Sequence, residues 1–251
     1  MKKDIIAVWF SCGCPSAVAA KKTLEIYGDT HTVLIINNPV KEEDSDNIRF
    51  RKDVEKWLGV EIISASNSKF PTNSAVDVWE KRKYMSGIKG APCTTQLKKE
   101  ARYQFEEKQR LSGNPITWHV LGFTLEEEDR HDRFVLSERD NVIPVLIDLG
   151  ITRNDCFAMI EEQGIELPLM YRLKYPNANC IGCSKATSAT YWNRVRETHP
   201  EVFNDRCEQS RRIGAKLVRY KGKRIFLDEL PPDAKGRKMK SYECGIFCNT
   251  K

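Results

Sequence analysis

The stretch Asp4-Ile5-Ile6-Ala7-Val8-Trp9-Phe10-Ser11-Cys12-Gly13-Cys14-Pro15-Ser16 decides the fold. Ile5 to Phe10 is an unbroken apolar run, the composition of a strand covered on both faces. Ser11 to Ser16 is small and turn-forming, and Ser16 to Tyr27 carries the alanine-rich apolar stripe of a helix. Strand, tight loop and helix make the opening unit of a parallel α/β sheet. In such sheets ligands bind at the carboxyl ends of strands, against helix N-termini. Small residues let backbone N–H groups approach phosphate oxygens, Ser11 and Ser16 add hydroxyls, and the helix dipole favours negative charge. Phosphate or sulfate is the natural guest of this loop. The same spacing also suits an ordinary strand–helix turn capped by Ser16.

Outward from this unit, the pattern predicts a strand over Thr32 to Ile36, a charged helix over Asp44 to Leu58 and a short strand over Val60 to Ser64. A helix over Thr94 to Arg110, a strand over Pro115 to Gly122, a helix over Leu125 to Phe134 and a last strand over Asn141 to Leu146 follow. Strands alternating with helices predict an α/β fold with a mainly parallel sheet flanked by helices. The pattern then turns helical, over Arg153 to Gln163, Ser188 to Thr198 and Val202 to Ile213, with a small β pair at Leu217 to Tyr220 and Arg224 to Leu227. The expected division is an α/β domain over residues 1–150 and a mostly helical, cysteine-bearing subdomain with its tail over 151–251. From Pro231 to Lys251 periodicity is lost and the composition resembles disorder, but Cys244 and Cys248 argue for a tether.

The longest apolar runs, Ile5 to Phe10 and Val33 to Ile36, fall far short of the roughly 20 residues that cross a bilayer. Met1-Lys2-Lys3-Asp4 leads into the first strand without a secretory pattern, so a soluble, cytoplasmic protein is expected, with no membrane partner. There, nine cysteines point to metal binding or thiol chemistry more than to disulfides. A formal charge of +6 fits phosphate-bearing ligands, yet 35 acidic residues lie among 41 basic ones, so nucleic acid is compatible but not implied.

Cys180-Ile181-Gly182-Cys183 is a C-x-x-C, a spacing at which two thiolates reach one metal ion or cluster. The remaining ligands must come from Cys93, Cys156, Cys207, Cys244 or Cys248. Cys156 and Cys207 sit in apolar helical patterns and read as core. Cys12 and Cys14 read either as reactive thiols at a helix N-terminus or as small buried residues. Thiolates suit zinc and iron alike. His119, in an apolar strand, reads as structural and His131, on a charged helix, as exposed; neither forms a dyad. Trp118, Tyr191 and Trp192 read as core rather than as base-stacking residues.

Together these segments resemble the phosphoadenosine phosphosulfate reductase-like family of the adenine-nucleotide α-hydrolase superfamily. The loop resembles that superfamily's Ser-Gly-Gly-x-Asp-Ser, keeping Ser11, Gly13 and Ser16, with Cys12 for a glycine and Pro15 for the acidic residue. Cys93 with Lys98 and Lys99, then Cys180 and Cys183, then Glu243-Cys244-Gly245-Ile246 follow the order found in reductases that hold a four-iron cluster. Gly122-Phe123-Thr124 and Glu128-Asp129-Arg130 resemble a segment that helps bind nucleotide or sulfate. Tyr191 to Arg196, Pro200 to Phe203 and Phe226 to Leu230 resemble a bacterial and phage subgroup.

The resemblance implies an adenine nucleotide, adenylyl sulfate or ATP, at Ser11, Cys12, Gly13, Ser16, Lys98, Gly122 and Arg130, with Arg133 as a further cation. It implies a 4Fe-4S cluster, with zinc as the alternative, on Cys93, Cys180 and Cys183, with Cys248 replacing the ligand usually beside Cys93. Cys244 is then the nucleophile. Its thiolate attacks the sulfur of the adenylyl sulfate, an S-sulfocysteine forms as the nucleotide leaves, and a thiol reductant such as thioredoxin completes the reaction. In a competing arrangement both Cys244 and Cys248 are ligands with Cys180 and Cys183. Two other functions are open: an ATP- and cluster-dependent sulfur transferase or nucleic-acid modification enzyme, with sulfur carried by Cys12, Cys244 or Cys248, and a non-enzymatic nucleotide-sensing or zinc-binding protein.

Overall fold

The computed structural model describes residues 3–87 and 90–237, so Cys244 and Cys248 lie outside the described residues. In chain order the strands and helices are β1 (Ile5–Phe10), α1 (Cys14–Tyr27), β2 (Thr32–Asn37), α2 (Asp46–Leu58), β3 (Ile62–Ser64), α3 (Ala75–Arg82), α4 (Pro92–Thr94), α5 (Ala101–Leu111), β4 (Ile116–Val120), α6 (Glu128–Ser137), β5 (Val142–Ile143), α7 (Val145–Asp148), α8 (Arg153–Glu162), α9 (Leu169–Arg172), α10 (Ala189–Thr198), α11 (Pro200–Ile213), β6 (Val218–Tyr220) and β7 (Lys223–Ile225). No helix among the described residues is long and apolar enough to cross a membrane.

The chain forms two compact units. The first takes residues up to Pro39, Ser45–Asn67 and Glu100–Leu169; the second takes Val40–Asp44, Ser68–Lys99 and the described residues from Met170 onward. The division expected at residue 150 therefore differs from the one packing draws. Helix α8 packs on α1 and so belongs with the sheet. The intervening segments before α5 instead bring Val40, Phe70, Val78, Trp79 and Leu97 to the apolar cluster of the second unit. Hydrophobic pattern is a property of neighbours in sequence, whereas a domain is a shared core.

In the first unit five parallel strands lie in the order β3-β2-β1-β4-β5. Every residue of β1 is buried, as its unbroken apolar sequence requires of a central strand covered on both sides. Cys14, Ser16, Ala17, Val18, Ala19, Ala20 and Thr23 are the buried positions of α1. The chain leaves β1 toward β2 and β3 and then crosses back to β4 on the other side, so the order reverses between β1 and β4. The last strand is shorter than the expected Asn141 to Leu146, covering only Val142–Ile143. Pro144, which has no N–H to continue the ladder, follows it, and a helical turn begins at Val145. The helix expected over Leu125 to Phe134 begins instead as a 3-10 turn, Leu125–Glu127, before α6.

The helix expected over Thr94 to Arg110 begins at Pro92 and contains a π-helical turn, Thr95–Glu100, between α4 and α5. Gln96, Leu97 and Lys98 are consecutive yet all buried in that turn. Such turns recur at functional positions.

The second unit packs around Trp79 and Trp192, both buried, and the indole of Trp192 donates to the Ala186 carbonyl (2.8 Å). Its two-stranded sheet, β6 and β7, turns at Lys221 and Gly222, both with positive φ (45° and 79°), as tight hairpins require. Helix α3 has no counterpart among the helices expected from sequence. Its signal was the Ser74-x-x-Asp77 spacing, since the Ser74 hydroxyl accepts from the Asp77 N–H (3.2 Å). The same hydroxyl donates to Glu42 (2.7 Å), whose other oxygen accepts from the Ala75 N–H (2.7 Å). Ser74→Ala is expected to lower stability by about 1 kcal/mol, read from the denaturant midpoint; an unchanged midpoint would remove the cap from the account.

The start of the tail is held. Asn193 donates to the carbonyls of Pro231 (3.0 Å) and Ala234 (2.8 Å), Ser188 donates to that of Arg237 (2.6 Å), and the Gly236 N–H donates to Thr190 (2.9 Å). Side chains of α10 and its N-cap satisfy a backbone that has no regular ladder of its own. The disorder-like composition from Pro231 is thus overridden as far as Arg237.

Candidate functional site

Asn37 closes β2, and its side-chain amide donates to the Phe10 carbonyl (2.9 Å) and lies 3.7 Å from the Cys12 sulfur. It ties the carboxyl end of one strand to the loop of its neighbour. The sequence signal was a polar residue ending the apolar run Thr32 to Ile36. Inside the loop, Ser16 accepts from the Ser11 N–H (3.0 Å) and donates to the Gly13 carbonyl (2.8 Å). Ser16 is buried and braces the loop; Ser11 is exposed at its mouth. The N-cap of α1 is Gly13, not Ser16, and its extended backbone (φ −103°, ψ 151°) suits any residue.

The left-handed residue is Cys12, at φ 57°. A side chain in that region is strained by roughly 1 kcal/mol or more. Where glycine is required by space is Gly122, just beyond β4. A Cβ there would stand 2.7 Å from the Ser16 nitrogen and 2.9 Å from both the Pro15 carbonyl carbon and the Ser16 Cα. The exits of β1 and β4 therefore meet backbone to backbone, where the strand order reverses. In open parallel sheets that crevice is the ligand position.

The expected cations are placed differently. Arg130 pairs with Glu127 and lies 5.0 Å from the centre of the Phe123 ring. His131, expected at the surface, lies edge-on to the same ring (5.7 Å). Lys98 belongs to the second unit, where its ammonium pairs with Glu43 (3.1 Å) with both side chains largely buried.

Of the two open readings of Cys14, burial wins. Its thiol is pushed up to about 12, first by burial and then by Cys156, whose own thiol burial also raises to about 12. Neither is a thiolate near neutral pH. Cys12 is equally buried, so neither loop cysteine presents an exposed sulfur. Cys207, half-buried against the second unit's core, is raised to about 11 by burial, with Asp228 adding to it.

His119 is structural, as its apolar strand implied. Trp9 donates to its Nδ1 (3.0 Å), and Arg139 contacts its other ring nitrogen. Burial, then Arg139 and Arg102, depress it from 6.5 to about 3. The unfolded chain takes up this proton near pH 6.5 and the folded one does not, so the associated stability is full above 6.5 and lost as pH falls toward 3. His119→Gln is expected to flatten the acid-side loss by up to about 1.4 kcal/mol per pH unit. Denaturant midpoints of the two proteins that fall in parallel would exclude this source. Trp118, expected in the core, is instead 38% exposed, whereas Tyr191 and Trp192 are buried as expected.

In the second unit Cys180 and Cys183 are both buried and flank Gly182, whose φ is 67°. The Tyr191 hydroxyl accepts from the Cys183 N–H (3.0 Å) and donates to the Cys180 carbonyl (3.4 Å). The Ile181 N–H donates to the Glu42 carbonyl (2.9 Å), and Arg206 donates through Nε to the Gly182 carbonyl (3.3 Å). Arg206 is buried, lies 4.9 Å from the Trp79 ring and has its pKa lowered by burial. Sequence reasoning missed both Tyr191 as a partner of this turn and Arg206, because each is linked to it only through the fold.

Cys93, on α4, packs against the same apolar cluster. Among the described residues no three His, Cys, Asp or Glu side chains gather as a metal set. The expected joining of Cys93 with Cys180 and Cys183 is therefore not formed in this geometry. Cys93 sits on a helical turn, while the C-x-x-C is pinned by α10 and α11. Two desolvated thiols on a glycine turn beside a buried guanidinium fit half the donor set of a soft, thiolate-bound metal, zinc or iron.

The first unit is thus a parallel α/β sheet whose strand order reverses between β1 and β4, and the second a mainly helical unit bearing a pinned C-x-x-C. No family model matches the chain, and no curated protein matches it. Among solved structures, the U34-tRNA thiolase NcsA from Methanococcus maripaludis with its 4Fe-4S cluster is similar, at 12% identity over 85% of this chain and 73% of that chain, with a TM-score of 0.45. The fold of this chain is defined by its own strand order and register.

Proposed function

We propose that this protein is an adenine-nucleotide-dependent sulfur enzyme, with its nucleotide at the crevice between β1 and β4 and a thiolate-bound metal, an iron–sulfur cluster in the family it resembles, on the C-x-x-C. The observation that carries the reading is the meeting of Gly122 with the backbone of Pro15 and Ser16 at the point where the sheet order reverses. The Ser11 hydroxyl, backbone N–H groups and the N-terminus of α1 supply the donors for a phosphate or sulfate. Cys180 and Cys183, with ligands from beyond the pinned turn, hold the metal, which when bound supplies positive charge and redox capacity.

Between the two reactions that join such a nucleotide to thiols, the loop supports thiol attack on an adenylyl sulfate. Pro15 stands where the resembled loop has a carboxylate, and burial argues against Cys12 as a carrier of sulfur. In this reading Cys244 forms a sulfur–sulfur bond to the sulfuryl group, the sulfur–oxygen bond to the nucleotide breaks, and the nucleotide phosphate leaves with the electron pair. A dithiol of the thioredoxin class then reduces the S-sulfocysteine, releasing sulfite.

Anaerobically purified protein incubated with adenylyl sulfate and a dithiol is expected to release sulfite and nucleotide. Cys244→Ala should keep its metal and lose turnover, and Cys248→Ala should lose both. Sulfur delivered to RNA with ATP consumed, and no sulfite from adenylyl sulfate, would replace this reaction by ATP-dependent sulfur transfer. Loss of metal in Cys244→Ala would make that residue a ligand rather than the nucleophile.

A further inference from the structure

The four residues Cys180 to Cys183 form an irregular turn, four of whose peptide groups are bonded by Tyr191, Arg206 and the segment carrying Glu42. The Cys180 carbonyl and Cys183 N–H share the Tyr191 hydroxyl, the Ile181 N–H uses the Glu42 carbonyl, and the Gly182 carbonyl takes the Arg206 guanidinium. Gly182 also sits close under α11, where a Cβ would lie 3.1 Å from both Val202 Cγ1 and Arg206 Cγ. The turn is thus held from α10, from α11 and from the segment carrying Glu42.

The hydrogen bonds of Arg206 go to neutral oxygens, the Gly182 carbonyl and the Gln209 side chain (2.8 Å). The carboxylate of nearby Glu42 is engaged at the start of α3. Asp205, adjacent in sequence, is exposed to solvent. A guanidinium this deeply buried is stabilised by negative charge in the same low-dielectric surroundings. Thiolates bound to a zinc ion or an iron–sulfur cluster form a complex of net negative charge, which Arg206 would stabilise.

We propose that Tyr191 and Arg206 are positioning residues for a metal–thiolate centre at Cys180 and Cys183: Tyr191 fixes the turn so that both thiols serve one metal, and Arg206 offsets the charge of the complex. This inference rests on the metal-binding reading of the C-x-x-C. Neither residue touches a reacting atom. The partners that orient ligands typically change metal affinity by about 10–100-fold when removed.

The test is anaerobic titration of the metal-stripped full chain with cobalt(II), following the sulfur-to-cobalt charge-transfer band, with melting of each metal-free protein recorded alongside. Tyr191→Phe and Arg206→Met are expected to weaken cobalt binding by about tenfold or more, with Arg206→Lys recovering part of the loss because it keeps the charge. A purely structural role would lower the melting temperature without moving the band or separating lysine from methionine. Equal cobalt affinity in wild type, Tyr191→Phe and Arg206→Met overturns the inference and leaves the metal reading standing. A wild type that develops no charge-transfer band overturns that reading and the inference with it. Should Arg206→Met fail to fold, Tyr191→Phe decides for the hydroxyl and Arg206→Lys, compared with wild type, for the guanidinium's fork of donors.

Discussion

Alanine at position 122 is expected to abolish adenine-nucleotide binding and to destabilise the protein by about 1–3 kcal/mol. The smallest possible side chain is enough, because the atoms it meets are backbone: the Ser16 nitrogen at 2.7 Å and the Pro15 carbonyl carbon at 2.9 Å. A flexible side chain would swing away; a helix N-terminus braced through Ser16 to Ser11 and Gly13 does so only by shifting the loop. Calorimetric titration with adenylyl sulfate or ATP, paired with a denaturant melt, measures both effects. The informative contrast is Gly13, whose extended backbone needs no glycine. Gly13→Ala should keep the stability that Gly122→Ala loses. A Gly122→Ala protein that melts and binds like wild type would show that the β1 and β4 exits do not form the site.

The second large effect is expected at Cys180. Cys180→Ala should purify without metal and melt well below the wild type, whereas wild type stripped by a chelator should fall to nearly the same midpoint. Ligation stabilises the folded state because the unfolded chain offers no preformed site, and structural zinc contributes about 10 kcal/mol or more in small domains. The second unit has its own apolar core around Trp79 and Trp192, so folding without metal is expected to persist at reduced stability. Metal analysis with thermal melting decides it. Full metal content in Cys180→Ala would remove the C-x-x-C from the centre. A metal-free variant as stable as the loaded wild type would mean that the metal serves chemistry alone.

Local pattern determined a large share of this protein. The six apolar residues of β1, the alanine stripe of α1 and the alternation that follows required a buried parallel strand and its flanking helices, because hydrophobic periodicity and strand or helix geometry are linked residue by residue. The C-x-x-C was legible for the same reason, as a spacing within one turn. Contacts between distant segments were decided only by the tertiary structure. Nothing near Gly122 in sequence indicates that Ser16 will lie against it, 106 positions away. Nothing near Cys183 names Arg206 as the cation above its turn. Thiol character was likewise out of reach of pattern: Cys14 at a helix N-terminus reads equally as a reactive sulfur or a small buried one, and burial, with Cys156 of α8 beside it, makes it inert. The division into units followed the same rule, since Phe70 and Leu97 join a core whose other half begins at Met170. Sequence sets which residues prefer burial, but which buried residues share a core depends on how the chain crosses over, and that is settled by close packing among segments far apart along it.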